Sequence, residues 1–237
     1  MRLHYLQHVP FEDPGVIFTW AKENGYPMTG THFYRQDPLP GLDTFDWLII
    51  LGGPMNLYEE EQFPWLIVEK AFMKEAMAAE KVMIGFCLGA QLIADVIGGR
   101  VIKNLFREIG WFPVTMAEKA SVFPQFSIFP NHPIVFEWHG DTFIDLPKDA
   151  IILASNEACT NQAFLHGSRT YGFQFHMEYT QKIIEELIIN CRDELITDIY
   201  VQTAKELCAH PEYLIQINSQ LKCFLNKLHE LYREGDI

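Results

Sequence analysis

The chain has 237 residues, 49% of them hydrophobic, which is enough for one substantial core. Its formal charge of −13, with no basic run to offset it, excludes nucleic acid as a main partner, because the chain would repel a phosphate backbone. The five cysteines, Cys87, Cys159, Cys191, Cys208 and Cys223, are an odd, widely spaced set with no C-x-x-C pair, which argues against a disulfide framework or a zinc site.

Met1 to His8 reads as a first strand; it is too interrupted by polar groups to be a signal-peptide core. The longest apolar runs are strand-sized rather than bilayer-sized, so a soluble, reducing, cytoplasmic setting without a membrane partner is expected. Asp13 and Pro14 are placed to cap and open a helix that Gly25 ends. Thr31 to Arg35 is a candidate second strand, and Trp47 to Leu51 is the apolar run of a parallel strand covered on both faces. The loop Gly52-Gly53-Pro54-Met55-Asn56 follows, then a helix over Pro64 to Ala79, a buried strand over Lys81 to Phe86 and a helix over Leu88 to Ile97. This alternation predicts a parallel sheet, in which sites form beyond the carboxyl ends of the strands.

After Gly98-Gly99 the rhythm changes to short strands with turns: Val101-Ile102, Phe112 to Met116, Ile134 to Trp138, Ile151 to Ala154, Asn161 to Leu165 and Tyr171 to Phe175. These predict an antiparallel extension of the sheet. From Thr180 the pattern is helical, with Ile183, Ile184, Leu187, Ile188 and Cys191 as its apolar stripe and Pro211 separating the last two helices. The expected fold is α/β, a flavodoxin-like doubly wound, mostly parallel sheet with an antiparallel extension and C-terminal helices. Residues 1–190 would form the main domain and 191–237 a helical extension packed on it.

Cys87 lies between two glycines in Gly85-Phe86-Cys87-Leu88-Gly89, at the turn from strand to helix. That is the shape of a nucleophile elbow: the glycines permit a tight turn, and a helix N-terminus favours the thiolate. His176 follows the alternating segment Tyr171 to Phe175, and Glu178, two residues on, would project to the same side and orient the imidazole. Backbone N–H groups at Gly53 and Leu88 could hold the negative oxygen of a tetrahedral intermediate, with Pro54 stiffening the loop.

Taken in order, Gly52-Gly53-Pro54, Gly85-Phe86-Cys87-Leu88-Gly89-Ala90-Gln91 and Gly172-Phe173-Gln174-Phe175-His176-Met177-Glu178 resemble the class I, or triad, glutamine amidotransferases, closest to the GMP-synthetase-amidotransferase-like branch. The resemblance implies Cys87 as nucleophile, His176 as base and then acid, and Glu178 as the orienting carboxylate. It also implies that Gln91 contacts the α-amino-acid end of glutamine and that Trp138, His139, Gly140 and Asp141 lie beside the substrate; His139 would be a second pocket histidine or a cap for that loop. Family members often have Pro where this chain has Met177. No P-loop occurs, and residues 180 to 237 are too few for a synthetase, so a stand-alone hydrolase is expected.

The activity implied is cleavage of the γ-glutamyl amide of glutamine, or of a related γ-glutamyl compound, through a Cys thioester, with no cofactor and no metal. Two alternatives stay open: a γ-glutamyl peptidase acting on glutathione-like substrates, and a glutaminase subunit docking a separate synthetase. A homodimer is an open partner as well.

Overall fold

Alternate residues of the central strands face two different cores, because helices cover both sides of one sheet. In the strand Trp47–Ile50 (β3), Trp47 and Ile49 belong to one core while Leu48 and Ile50 belong to the other. The computed structural model describes residues 1–237. The other sheet strands are β1 (Leu3–Gln7), β2 (Met28–His32), β4 (Val82–Phe86), β6 (Thr115–Met116), β8 (Ala150–Ser155), β9 (Ala163–His166) and β10 (Thr170–Phe173). Their order is β2-β1-β3-β4-β10-β9-β8-β6, parallel from β2 to β10 and antiparallel from there outward.

Helices α1 (Val16–Glu23), α4 (Gln181–Asn190), α5 (Ala204–Leu207) and α6 (Pro211–Glu234) contribute to the larger core, and α2 (Trp65–Ala78) and α3 (Leu88–Val96) to the smaller one. Leu88 to Ala94 are buried without a break, so α3 is enclosed rather than amphipathic. The apolar face of α6, with Leu214, Ile217, Leu221, Phe224, Leu225 and Leu228, lies in the larger core.

Several elements depart from their sequence pattern. Helix α1 starts at Val16 with Gly15 as its N-cap, because the Asp13 carboxylate accepts from Gly15 N at 2.8 Å and so holds the turn before the helix. The second strand is Met28–His32, and Phe33–Arg35 is a turn of 3₁₀ helix, since the chain bends away once it has paired with β1. Val101-Ile102 and Phe112 belong to one long strand, β5 (Arg100–Pro113), which pairs with β7 (Ile134–Ile144) in a separate two-stranded ribbon. A register shift between Lys103 and Glu108 interrupts that ladder, which is why no continuous alternation marks it in the sequence.

Candidate active site

Cys87 lies between β4 and α3 with φ 48° and ψ −108°, a left-handed conformation that L-residues avoid. The strain therefore sits on the cysteine itself, and the neighbouring glycines serve close packing. A Cβ on Gly85 would lie 2.5 Å from the Gly89 carbonyl carbon, and one on Gly89 would run into the Ile50 carbonyl. The Cys87 N–H donates to Phe173 O at 2.8 Å, which ties the elbow to β10.

The thiol does not rest as the thiolate that a helix N-terminus alone would favour. Burial, with the Glu12 carboxyl nearby, pushes it well above the ordinary cysteine range, and the Leu88 N–H addressing the sulfur only partly opposes this. Its Sγ is 3.5 Å from Trp138 O, a carbonyl that accepts the thiol proton.

Strand β10 ends at Phe173, and beyond it His176 N–H donates to Phe136 O at 2.8 Å, holding the segment against β7. His176 Nδ1–H donates to Glu178 Oε1 at 2.7 Å, leaving Nε2 on the opposite edge of the ring. Met177 N–H donates to the other carboxylate oxygen at 2.9 Å, a bond that a proline at this position could not make. Tyr179 stacks on the His176 ring with centroids 3.8 Å apart, and its hydroxyl donates to Glu12 Oε2 at 2.6 Å. Burial raises the Glu12 carboxyl pKa, with the nearby His176 and Tyr179 opposing the shift.

One cavity collects these groups. Cys87, His176, Gly53, Gln91, Trp138, His139, Gly140 and Asp141 all line it, so the segments predicted from sequence converge. Gln91 is buried, donating at 3.2 Å to Asp141 O and to Gln174 Oε1. His139 both lines the cavity and caps its loop, Nδ1–H donating to Asp141 O at 2.9 Å. Leu88, the other expected oxyanion donor, opens α3 directly beside Cys87.

Glu12, Tyr179, Lys103, Arg107 and Glu194 also line the cavity and escaped the sequence reading. Glu12 carried a signal in its place shortly after the carboxyl end of β1, and Tyr179 in directly following Glu178. Lys103 and Arg107 arrive through β5 and Glu194 from beyond α4, at separations no local pattern encodes.

Beneath the cavity lies a second thiol–imidazole–carboxylate set. The donor atoms of Glu108, His139 and Cys159 fall within 4.8 Å of one another, all buried, and could hold a metal ion. His139 Nε2 is 3.1 Å from Glu108 and 3.3 Å from Glu137. Burial alone would strip the His139 charge, but the two carboxylates raise its pKa well above the ordinary histidine value. Burial and Glu108 push Glu137 up to about 7. Cys159 is engaged at 3.1 Å by Thr142 Oγ1 and at 3.5 Å by Asn161 O, and it does not line the cavity.

A doubly wound sheet with a strained cysteine between strand and helix, and a carboxylate-held histidine after a neighbouring strand, defines a class of α/β proteins with a cysteine elbow at the carboxyl edge of the sheet. The chain belongs to the glutamine amidotransferase class-I family, whose model matches residues 21–192. It is 33% identical over 235 residues to the glutamine amidotransferase-like protein YfeJ of Salmonella typhimurium, covering 96% of this chain and 97% of that one. It is 32% identical over 167 residues to a GMP synthase (glutamine-hydrolyzing) subunit of Thermoplasma volcanium, covering 67% of this chain and 79% of that one. The crystal structure of a glutamine amidotransferase from Thermotoga maritima superposes with a TM-score of 0.87 at 29% identity, covering 96% of this chain and 97% of that one.

Proposed function

We propose that this protein hydrolyses the γ-glutamyl amide of glutamine, or of a related γ-glutamyl compound, with Cys87 as nucleophile, His176 as base and Glu178 as the carboxylate that orients it. The observation that carries this reading is that Cys87, in its strained elbow, opens on the same cavity as His176, whose ring is held through Nδ1 by Glu178. Glu108, His139 and Cys159 are a poorer candidate, because the Cys159 thiol is engaged by its neighbours and walled off from the cavity.

Because the resting thiol is protonated, attack and deprotonation are coupled. Sγ bonds to the amide carbon as its proton passes to His176 Nε2, and the carbonyl electrons move onto oxygen between the Gly53 and Leu88 N–H groups. Collapse breaks the C–N bond, the imidazolium supplies a proton to the departing ammonia, and a γ-glutamyl thioester remains. Water, deprotonated by His176, then releases glutamate and restores the thiol.

Lys103 and Asp141 face each other across the β5–β7 ladder, and both line the cavity. A cation beside an anion matches the α-carboxylate and α-ammonium of an amino acid, and Gln91 with Trp138, His139 and Gly140 completes that wall. Glutamine should therefore be compared with γ-glutamyl dipeptides and glutathione conjugates, by ammonia or amine release and by mass detection of the acyl-enzyme. The reading requires an acyl adduct on Cys87 and its loss in Cys87→Ala. Hydrolysis that survives Cys87→Ala would overturn it.

A further inference from the structure

Two fully buried charged side chains outside the catalytic set adjoin the oxyanion loop. His8 directly follows β1, and its ring packs against both Phe33 and Trp65, with centroids 5.7 Å and 5.3 Å away and planes within 4° and 18° of parallel, while those two rings stack on each other at 4.8 Å. Its Nδ1 is 2.8 Å from Gly52 O, and its Nε2 is 3.0 Å from Glu69 Oε1 on α2. A carbonyl only accepts, so Nδ1 carries a hydrogen, and an unprotonated Nε2 would set its lone pair against a carboxylate oxygen. Burial disfavours charge on His8, but Glu69 and the bond to Gly52 raise its pKa above the ordinary histidine value. The pair is thus an imidazolium between a backbone carbonyl and a carboxylate.

Such a pair costs more in desolvation than an apolar replacement would, and Glu69 Oε2 has no partner at all. Packing alone gives no reason for it. What the pair does control is one peptide plane. The Gly52–Gly53 peptide is trans, so its N–H points away from its C=O. The carbonyl points at His8, which does not line the cavity; Gly53 does line it, and its N–H has no bond within the protein. A Cβ on Gly53 would lie 3.1 Å from both His8 Cβ and Leu88 Cδ2, so the loop is seated between the base of the His8 side chain and the elbow helix.

We infer that His8 and Glu69 are positioning residues for the oxyanion hole: by holding the Gly52 carbonyl they aim the Gly53 N–H into the cavity at Cys87. A charged donor on that carbonyl also polarises the amide and strengthens its N–H as a donor. The inference rests on the proposed Cys87 mechanism.

The test uses the full chain, with His8→Phe, which keeps a ring against Phe33 and Trp65, and Glu69→Gln, which keeps a partner for Nε2 but removes the charge. Each is assayed for glutamine kcat and KM and for alkylation of Cys87 by iodoacetamide, a displacement that forms no oxyanion. His8→Phe should lower kcat about 10- to 100-fold, part of what losing a whole oxyanion donor costs. Glu69→Gln should lower it about 3- to 10-fold, since the hydrogen bond survives without its charge. KM and the alkylation rate should stay within about twofold, as for an interaction made only in the transition state. A Glu69→Gln enzyme with wild-type kcat, or one whose alkylation falls in step with kcat, would overturn the inference, and Glu69→Gln decides the matter if His8→Phe does not fold. Failure of the parent reading looks different: Cys87→Ala would then retain hydrolysis in an otherwise wild-type chain.

Discussion

At Cys87 the backbone and the thiol are both held away from their relaxed states, the first by a φ of 48° and the second by burial. The neutral thiol is the resting form, so alkylation by iodoacetamide should climb about tenfold per pH unit through neutrality and keep rising beyond pH 8. A plateau below pH 7 would mean that the thiolate is already formed. Cys159→Ala should retain hydrolysis and cost about 1 kcal/mol of stability, whereas Cys87→Ala should abolish turnover and leave thermal unfolding little changed. Equal loss of activity in both would join the two cysteines in one mechanism.

Glu178 accepts two N–H bonds, from the His176 ring and from Met177. A glutamine there has one carbonyl oxygen for two donors, and if Met177 takes it the amide NH₂ forces the His176 proton onto Nε2. Glu178→Gln should then lose about 10³- to 10⁴-fold in kcat, as severe as His176→Ala, because the ring adopts the wrong tautomer. Met177→Pro removes the competing N–H, so the double variant should recover part of that loss. No recovery would show that the lost carboxylate charge, rather than the tautomer, dominates.

Among elements, α3 depends on its approach to β3 and β4. Gly89→Ala would push a methyl into the Ile50 carbonyl, which cannot move without breaking the sheet. It should destabilise the protein by about 3 kcal/mol or more, read as a drop in denaturation midpoint; a shift under about 1 kcal/mol would mean that α3 slides freely. Helix α6 has a comparable role at longer range. Asn218 Nδ2 donates at 2.7 Å to Met177 O and at 3.0 Å to Tyr179 O, gripping the backbone on both sides of Glu178. Asn218→Ala should lower kcat about 5- to 20-fold with a smaller change in KM, since it frees the segment that aims His176 while leaving the substrate wall intact. A variant that changed only KM would place α6 on the substrate side instead.

In the molecule as a whole, the carboxyl ends of β1, β3, β4 and β10 meet at one edge, and His8, Gly52, Cys87 and His176 each lie one to three residues past such an end. No helix is long and apolar enough to cross a membrane. The ribbon of β5 and β7 brings Lys103, Arg107, Trp138 and Asp141 over that edge to complete the cavity.

What was legible beforehand is what short stretches encode. The apolar run Trp47 to Leu51, the strand–cysteine–helix at residues 81 to 97 and the two-residue spacing of His176 and Glu178 are local, and periodicity or backbone direction suffices to read them. The enclosed helix α3, the separate ribbon and the neutral Cys87 thiol were settled by groups distant in the chain. That thiol donates to a carbonyl 51 residues away, the Gly52 carbonyl is held from 44 residues away, and His8 meets Glu69 across 61. Charge state and aim are properties of an environment, and the environment of each group here is built by strands and helices that meet only when the sheet closes over its two cores.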